Sequence, residues 1–352
     1  MDKKIEMELN ESNYGPFLPF LIREDITDVD FNGRQLWIKS VNGKRALVDN
    51  PGVTNEFIDQ FSHRIANLVN QPFNQTYSLL EAETDCLRVS VMHESIAISG
   101  RSLSIRKSFP KMRMNEKQMI DTGYCDVEIL NFLKNCVYAH MNIVFCGEPG
   151  AGKTECAKFF SSYIPANERV ITIEDNAELH YEQIHPGRDS VALRVDSQHF
   201  TYEQAIKSSL RQNPAWIMLS EARSREVKYL LECWSTGVSG FTTIHTDDVR
   251  KIPDRIQNMM EISREAQRLE NQIFEFVRIG VLIRSRNVNS SQKGRYIDQV
   301  GIFYRENGQN EISLFVQDGQ IRDRRLPDSV QRTMERAGIS EPLGGCTWNK
   351  ES

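Results

Sequence analysis

Residues 142–160 of this 352-residue chain read NIVFCGEPGAGKTECAKFF. The part from 147 to 154 fits the pattern G-x-x-x-x-G-K-[ST], whose glycines let backbone N–H groups turn toward a phosphate. The apolar run before it is typical of a buried strand, and residues 153–163 after it are predicted to form a helix. A strand, a glycine loop and a helix in this order favour a phosphate-binding loop over an ordinary glycine-rich turn, because the helix adds its positive N-terminal end.

The pattern assigns candidate roles to the residues of the loop. Lys153 would reach the β- and γ-phosphates of a nucleotide, and the Thr154 hydroxyl would ligate Mg²⁺. Glu155 follows at the start of the predicted helix, where the helix dipole accommodates a carboxylate. The candidate phosphate-binding residues are Gly147, Glu148, Pro149, Gly150, Ala151, Gly152, Lys153, Thr154 and Glu155.

Segments on the C-terminal side of this loop alternate between strand and helix. RVITI (169–173), WIMLS (216–220) and GFTTI (240–244) are apolar runs of strand length. Between the first two, a helix is predicted from a capping box at Thr201 and Gln204 to Asn213, which precedes a proline. Strands that alternate with helices predict an α/β fold in which a mostly parallel sheet is covered on both faces.

Residues 1–107 predict a smaller α+β domain in front of the glycine loop. Two Asn-Gly pairs, Asn32-Gly33 and Asn42-Gly43, are hairpin signals because both residue types tolerate positive φ. Apolar residues recur every three or four positions from 57 to 69, which predicts a helix. Three later segments alternate like short strands: LRVSVMH (87–93), SIAIS (95–99) and SLSIRK (102–107).

These patterns divide the chain into four parts. The α+β domain, 1–107, is followed by a polar candidate linker, 108–124, and by the phosphate-loop domain, 125–317. Within that domain YIDQVGIFY and EISLFV flank ENGQN (306–310) as a predicted hairpin. A polar tail, 318–352, carries one short predicted helix around residues 329–337.

Composition narrows the classes of protein that are possible. With 43 basic and 48 acidic side chains the net charge is −5, so the chain as a whole has no electrostatic footprint for nucleic acid. The start lacks the apolar core of a signal peptide, and no apolar run has the length of a membrane-spanning helix. The seven cysteines show neither a C-x-x-C pair nor disulfide-like spacing, which favours a reducing compartment: Cys86, Cys125, Cys136, Cys146, Cys156, Cys233 and Cys346.

Acidic or histidine side chains follow three of the predicted strands at their carboxyl ends, where open α/β sheets bind ligands. Glu174 and Asp175 end the first strand, and Glu221 follows the second. Each carboxylate alone is as consistent with a solvated loop as with a magnesium–nucleotide site, but the two together with a phosphate loop favour the site. His245 ends the third strand at the same predicted edge.

Taken in order, these segments resemble the secretion-ATPase superfamily, the hexameric motors of type II and type IV secretion, type IV pili and conjugation. They correspond to its Walker A loop, its Asp box (ITIEDNAEL, 171–179), its atypical Walker B motif (LSEAR, 219–223) and its His box (TTIHT, 242–246). The opening YGPFLPFLIREDITDVDFNG, and the absence of the two C-x-x-C pairs found in the pilus-extension branch, resemble the tight-adherence pilus and VirB11-type ATPases. The resemblance implies a P-loop motor domain of the RecA-like kind.

The resemblance also implies roles for single residues. Glu174 matches the Asp-box acid that orients or activates the attacking water, Glu221 the Walker B acid that holds Mg²⁺ through water, and His245 the histidine that senses the γ-phosphate. Arg88 and Arg106 stand where family members supply arginines to the terminal phosphate from the N-terminal domain. Two positions depart from the family pattern: Ala215 replaces an aspartate before the Walker B strand, and Ser220 replaces a glycine. Neither change removes a phosphate or metal ligand.

The motifs and this resemblance together imply a cytoplasmic ATPase, using ATP and Mg²⁺, that lies at the inner face of the cell membrane as a homo-oligomer, a hexameric ring. Its work would drive pilus assembly or secretion through an inner-membrane platform protein, without direct nucleic-acid binding. Two alternatives stay open: a helicase-like motor stimulated by nucleic acid, against which the net charge argues, and a non-hydrolysing nucleotide binder, which would be expected to lack Glu174 or Glu221.

Overall fold

A computed structural model describes residues 5–41, 43–196, 199–260, 266–289 and 292–345. Contacts between Cα atoms divide the chain into two units, Met1–Pro110 and Lys111–Ser352. None of the helices within the described ranges is long and apolar enough to cross a bilayer.

The first unit is built on a six-stranded sheet in which every neighbouring pair is antiparallel. The order across the sheet is β3-β2-β1-β6-β5-β4. Its strands are β1 (Ile26–Phe31), β2 (Leu36–Ser40), β3 (Arg45–Leu47), β4 (Leu79–Glu83), β5 (Leu87–Met92) and β6 (Ser102–Lys107), and its helices are α1 (Glu11–Tyr14), α2 (Leu18–Leu21) and α3 (Asn55–Leu68). The predicted small α+β domain is thereby confirmed.

Alternation along the strands produces the core of this unit. On β5, Leu87, Val89 and Val91 are buried, while the side chains between them lie on the opposite face of the sheet. Helix α3 covers the buried face with residues four apart, Phe61 and Ile65, and each such side chain contributes about 1.5–3 kcal/mol on burial. The helix predicted over 57–69 is thus present.

The turns of this unit show whether the two Asn-Gly pairs form the predicted hairpins. Between β1 and β2 the Asn32 side chain accepts hydrogen bonds from the N–H groups of Arg34 and Gln35, and Gly33 has φ +92°. The first predicted hairpin is confirmed. Of the second Asn-Gly pair, Gly43 has φ +76° between the paired strands β2 and β3, and Asn42 lies outside the described residues.

The strand predicted at SIAIS (95–99) is wrong. The segment forms turns, because the carbonyl of His93 accepts from the N–H groups of Ile96 and Ala97, and the His93 ring accepts from the Ser95 N–H at 3.1 Å. Local acceptors therefore take the donors that a strand would offer to a neighbour. Ile98 is 99% exposed as a result.

The second unit contains a nine-stranded sheet of order β15-β14-β13-β12-β7-β11-β10-β8-β9. The six strands from β12 to β9 in this order are parallel, and the other pairs are antiparallel. This confirms the predicted α/β fold with a mostly parallel sheet. The strands are β7 (Ile143–Cys146), β8 (Val170–Glu174), β9 (Ser190–Arg194), β10 (Trp216–Leu219), β11 (Ser239–Ile244), β12 (Ile279–Asn289), β13 (Gln292–Glu306), β14 (Gln309–Gln317) and β15 (Gln320–Ile321).

Helices cover this sheet on both faces, and the alternating strand residues enter two separate cores. On β10, Trp216 and Met218 belong to one apolar cluster, and Ile217 and Leu219 belong to the other. This is why the parallel strands read as continuous apolar runs. The helices are α4 (Glu116–Asp121), α5 (Val127–Tyr138), α6 (Lys153–Ser161), α7 (Tyr181–Ile184), α8 (Tyr202–Ser209), α9 (Glu226–Trp234), α10 (Ile252–Met259), α11 (Ala266–Phe276) and α12 (Asp328–Arg336).

Local signals in this unit behave as predicted. Thr201 and Gln204 form the reciprocal capping box at the start of α8. Asn307 and Gly308, with φ +50° and +81°, form the turn between β13 and β14, which confirms the predicted hairpin around ENGQN.

Two segments whose sequences are largely polar contribute to the core of the second unit. The predicted linker, 108–124, contains α4. Its side chains Met119 and Tyr124 are buried in an apolar core of the second unit. In the predicted tail, 318–352, the short helix is present as α12, and Val330 and Met334 are buried against the same cluster. A few apolar side chains at helical spacing are enough to hold a largely polar segment on the domain.

A cluster of His140, Glu168 and Trp216 joins three chain segments at the amino edge of the parallel strands. His140 Nε2 lies 2.8 Å from Glu168 Oε1, and Trp216 Nε1 donates to Glu168 Oε2 at 2.6 Å. The His140 ring stacks on Trp216, and its Nδ1 lies 3.1 Å from the Tyr138 carbonyl. The hydrogen bond to Glu168 raises the pKa of His140. Burial alone would raise the pKa of Glu168, but the bonds from His140 and Trp216 lower it overall.

This pair predicts a pH dependence of stability. Because the folded pKa of His140 is raised, its contribution is complete below the ordinary pKa of about 6.5 and is lost as pH rises through the folded value. We expect less than about 1 kcal/mol, since the pair is partly exposed. Urea unfolding at pH 6 and pH 9, followed by tryptophan fluorescence, should show a difference between wild type and His140→Gln that shrinks at the higher pH. A difference that grows with pH would contradict the assignment.

Candidate functional site

The glycine loop connects β7 to α6 in a conformation in which all three of its glycines, Gly147, Gly150 and Gly152, have positive φ. Gly147 has φ +149°, and a Cβ there would lie 2.5 Å from the carbonyl oxygen of Ile283. Gly152, with φ +96°, is the N-cap of α6 in the left-handed region. Residues 148–150 form an exposed tip, and Ala151 donates its N–H to the Glu148 carbonyl at 3.1 Å. The loop therefore lies directly before the positive N-terminal end of α6.

Lys153 is the first residue of α6, and its side chain folds back over the loop. Its ammonium group lies 3.3 Å from the carbonyl oxygens of Gly147 and Glu148 and 3.2 Å from Nδ1 of His245. The residue is 8% exposed, and this burial lowers its pKa. Burial has removed water from the Lys153 ammonium, and its hydrogen-bond partners are neutral. An anionic ligand would compensate for the lost solvation of this positive charge, so the site is well suited to bind an anion.

His245 connects Lys153 to the carboxylate at the end of the neighbouring strand. Its Nε2 lies 2.8 Å from Oε1 of Glu221, which follows β10. Burial and the nearby Lys153 charge lower the pKa of His245, so the ring is neutral at pH 7. Lys153 has only donors, so Nδ1 accepts its bond and the proton lies on Nε2, facing Glu221. This chain of contacts links Lys153 of the phosphate loop to Glu221.

The chain of contacts continues to the end of β8. Arg223 donates to Glu221 Oε2 at 2.7 Å and to Asp175 Oδ2 at 2.9 Å. These interactions raise the pKa of Arg223 further above its ordinary value. Arg223 thus joins the Walker B segment to the Asp box.

Thr154 has a partner that the sequence interpretation did not single out. Its hydroxyl donates to Oε2 of Glu178 at 3.3 Å. Glu178 lies in the quoted Asp-box stretch, four residues after Glu174, so a second acid in that motif was the signal that could have identified it.

Glu174 has a different environment from Glu178. It is 6% exposed, and its Oε1 accepts the backbone N–H groups of Glu178 and Leu179 at 3.0 and 2.9 Å. Burial raises its pKa to about 8, so this carboxyl group is mostly protonated at pH 7. In the structure Glu174 fixes the conformation of the loop that carries Glu178.

Glu155 pairs with a lysine of its own helix. Its Oε1 lies 3.2 Å from Nζ of Lys158, a lysine whose side chain is 3% exposed. The carboxylate in the first turn of α6 is therefore neutralised by a lysine one turn further along the same helix. Its presence in the predicted set of phosphate-binding residues stays a prediction.

Arg88 and Arg106 lie in the first unit and are direct neighbours across β5 and β6. Arg106 Nε lies 3.0 Å from Asp28 Oδ1, and Arg88 Nε lies 3.7 Å from Glu83 Oε1. Both guanidinium groups thus share one face of the sheet with carboxylates beside them. Their assignment to the terminal phosphate stays a prediction.

The residues at the carboxyl edge fit a magnesium–nucleotide complex. The donor set combines the N-terminal N–H groups of α6, the Lys153 ammonium, the Thr154 hydroxyl and the carboxylates of Glu178 and Glu221. Mg²⁺ prefers such oxygen ligands together with phosphates. Fold and site together define an α/β P-loop protein.

The family follows from comparison with known proteins. The family model "Type II/IV secretion system protein" matches residues 77–327, more than two thirds of the chain. The chain therefore belongs to the family of type II/IV secretion system proteins, as its motifs predicted.

Individual relatives agree with this assignment. An uncharacterized protein of Bacillus anthracis is 28% identical over 265 residues, which cover 74% of this chain and 59% of that protein. The type IV secretion system protein VirB11 of Brucella suis is 28% identical over 195 residues, 53% of this chain and 54% of VirB11. The chain thus spans little more than half the length of these curated relatives.

A solved structure shows the same fold. The ATPase DotB of Yersinia pseudotuberculosis superposes with a TM-score of 0.61, covering 83% of this chain and 80% of DotB, at 13% sequence identity. At this identity the likeness concerns the fold alone.

Proposed function

We propose that the protein is an ATPase that hydrolyses ATP with Mg²⁺ to power a secretion or pilus system. The observation that carries the proposal is the chain of contacts from Lys153 through His245 to Glu221, set against a glycine loop and a helix N-terminus. The glycine loop, the helix N-terminus and Lys153 suit the binding of phosphates. The contacts from Lys153 through His245 to Glu221 suit a response to the bound phosphates. The family and the relatives named for type IV secretion support the coupling to transport.

Each residue would contribute a separate part of the reaction. The N–H groups of the loop and Lys153 would bind the β- and γ-phosphates and stabilise the charge that develops on them. Thr154 would hold Mg²⁺ directly and Glu221 through water, and the ion would neutralise phosphate charge. His245, placed between Lys153 and Glu221, would report the γ-phosphate to the Walker B segment.

Glu178 and Glu174 divide the work of the Asp box in this proposal. Glu178 lies beside Thr154 and would orient the attacking water or accept its proton. Glu174 would position the Asp-box loop through its two backbone hydrogen bonds, because its carboxyl group is buried and its pKa is raised to about 8. The predicted direct role of Glu174 in water activation is the alternative that the geometry favours less.

The remaining parts of the proposal concern assembly. Arg88 and Arg106, from the predicted domain 1–107, would supply positive charge to the terminal phosphate of ATP, and the predicted domain 125–317 would supply the phosphate loop. The protein would act as a homo-oligomeric ring, a hexamer, at the cytoplasmic face of the inner membrane, and would pass its work to a platform protein there. The net charge of −5 favours this over a motor that grips nucleic acid.

The test is the rate of Mg²⁺-dependent ATP hydrolysis as a function of protein concentration, with the mass in solution measured in parallel. We expect the specific activity to rise at least about tenfold as oligomers form, because a ring completes each site. Addition of EDTA should remove the activity.

Three results would contradict this proposal. Hydrolysis that stays absent in fully assembled protein would favour a non-hydrolysing nucleotide binder. Turnover that requires DNA and falls steeply with salt would favour a nucleic-acid motor. A specific activity that is independent of concentration in a monomer would argue against the ring.

A further inference from the structure

The hairpin formed by β12 and β13 contacts the phosphate loop and two other loops through its arginines. Arg284 donates to the Asp247 carbonyl at 2.7 Å, Arg286 to the Gly123 carbonyl at 2.9 Å, and Arg295 to the Gly150 carbonyl at 3.2 Å. Three guanidinium groups of one hairpin thus bind the backbone of three different loops. Asp247 lies in the loop after the His box, Gly123 in the loop before α5, and Gly150 in the phosphate loop.

The phosphate loop packs closely on this hairpin. The strand β12 pairs with β7 up to Leu282 opposite Cys146, so Ile283 lies beside Gly147, at the start of the loop. There, a Cβ on Gly147 would meet the Ile283 carbonyl at 2.5 Å. On the other side of the loop, a Cβ on Gly152 would lie 3.2 Å from Cδ of Arg295. The hairpin backbone and the Arg295 side chain therefore cover two of the glycines of the motif.

The contact between Arg295 and Gly150 fixes one peptide plane of the loop. The C=O of Gly150 and the N–H of Ala151 belong to the same planar unit and point in opposite directions. The C=O accepts from Arg295, and the N–H donates to the Glu148 carbonyl at 3.1 Å. Rotation of this plane would break both hydrogen bonds, which favours the observed direction of the neighbouring N–H groups, including those that begin α6.

We propose that Arg295 is a positioning residue for phosphate binding: by holding the Gly150 carbonyl and covering Gly152, it keeps the loop in the conformation that binds the β-phosphate. This inference rests on the proposed nucleotide site and adds to it a residue 145 positions away from the loop in sequence. Arg295 acts on the loop backbone and not on the γ-phosphate. Nucleotides with and without a γ-phosphate should consequently depend on it to the same degree.

The experiment compares wild type with Arg295→Ala for binding of ATP, ADP and inorganic pyrophosphate by titration calorimetry. We expect the Kd of all three probes to rise by roughly tenfold, the loss of one charge-assisted hydrogen bond, while kcat at saturating ATP changes less than about twofold. Arg295→Lys keeps a charged donor of similar reach and should restore most of the affinity, whereas Arg295→Gln is shorter and uncharged and should restore little. The matched control is Arg305→Ala on the same strand. Arg305 donates from Nε to Oδ1 of Asn310 at 3.0 Å and, among the described residues, does not bond the phosphate loop.

Each outcome decides between the two proposals. If wild type binds none of the three probes, the proposed nucleotide site fails and this inference falls with it. If wild type binds them and Arg295→Ala binds them equally well, only the role of Arg295 is refuted. A loss confined to ATP would also refute it, since it would mean a direct contact of Arg295 with the γ-phosphate. Thermal unfolding without nucleotide checks that each variant is folded, and if Arg295→Ala does not fold, the Gln and Lys variants carry the comparison.

Discussion

Replacing Lys153 by alanine is expected to weaken ATP binding by at least about a hundredfold, because charge-assisted bonds to two phosphates are lost together. The side chain is held over the loop by the Gly147 and Glu148 carbonyls, so little ordering is needed when the nucleotide arrives. Binding of a fluorescent ATP analogue in the presence of Mg²⁺ would measure the loss. We expect hydrolysis to fall below detection in the same variant.

The stability of this variant should change little, in contrast to its affinity for ATP. Burial lowers the pKa of Lys153, which means that the folded protein holds the charge at a cost. The thermal midpoint without nucleotide should therefore fall by less than about 3 °C or rise. Lys207→Ala is the matched control, since Lys207 forms an exposed pair with Glu203 on α8 and should affect neither binding nor hydrolysis. Unchanged ATP affinity in Lys153→Ala would refute the assignment of the loop.

The second large effect is expected for Glu178→Gln, which should lower kcat by roughly 10²- to 10³-fold while ATP affinity stays within about threefold. The carboxylate lies 3.3 Å from the Thr154 hydroxyl, and glutamine keeps its size while removing its ability to accept a proton. Single-turnover hydrolysis with bound ATP separates this loss from any change in binding. Glu182→Gln, an exposed acid on the neighbouring helix α7, is the control.

Glu174→Gln distinguishes the two roles proposed for the Asp box. Glutamine resembles the protonated carboxyl group that burial favours at this position, and its oxygen can still accept the N–H groups of Glu178 and Leu179. If Glu174 only positions the loop, kcat should fall by no more than about fivefold. If Glu174→Gln is inactive and Glu178→Gln is active, Glu174 acts on the water directly and the assignment given to Glu178 is wrong.

Much of the second unit could be predicted because its signals are local. The left-handed glycines, the capping box at Thr201 and the Asn307-Gly308 turn each depend on a few adjacent residues. The buried strands could be recognised because both faces of the parallel sheet are covered, so each strand is a short apolar run. The error at SIAIS has the same origin: alternating apolar residues suggested a strand, but local acceptors around His93 took its backbone donors.

Other features had no local signal. Arg295 and Arg284 are two of many arginines in the sequence, and nothing near them indicates a nucleotide site. Their importance depends on β12 pairing with β7, which places the hairpin against the loops. Glu178 could have been noticed within its motif, but only the fold of the Asp box showed that its carboxylate, and not that of Glu174, lies beside Thr154.

The sequence by itself determined the glycine loop, the alternation of strands and helices, and the family, since backbone sterics and apolar periodicity act within a few residues. The tertiary structure decided which side chains meet. In the sheet, β11 lies between β7 and β10, although it follows both in the chain, so His245 is brought between Lys153 and Glu221. The order of strands depends on how the whole domain buries its two cores, and it is this order that brings together residues 92 positions apart.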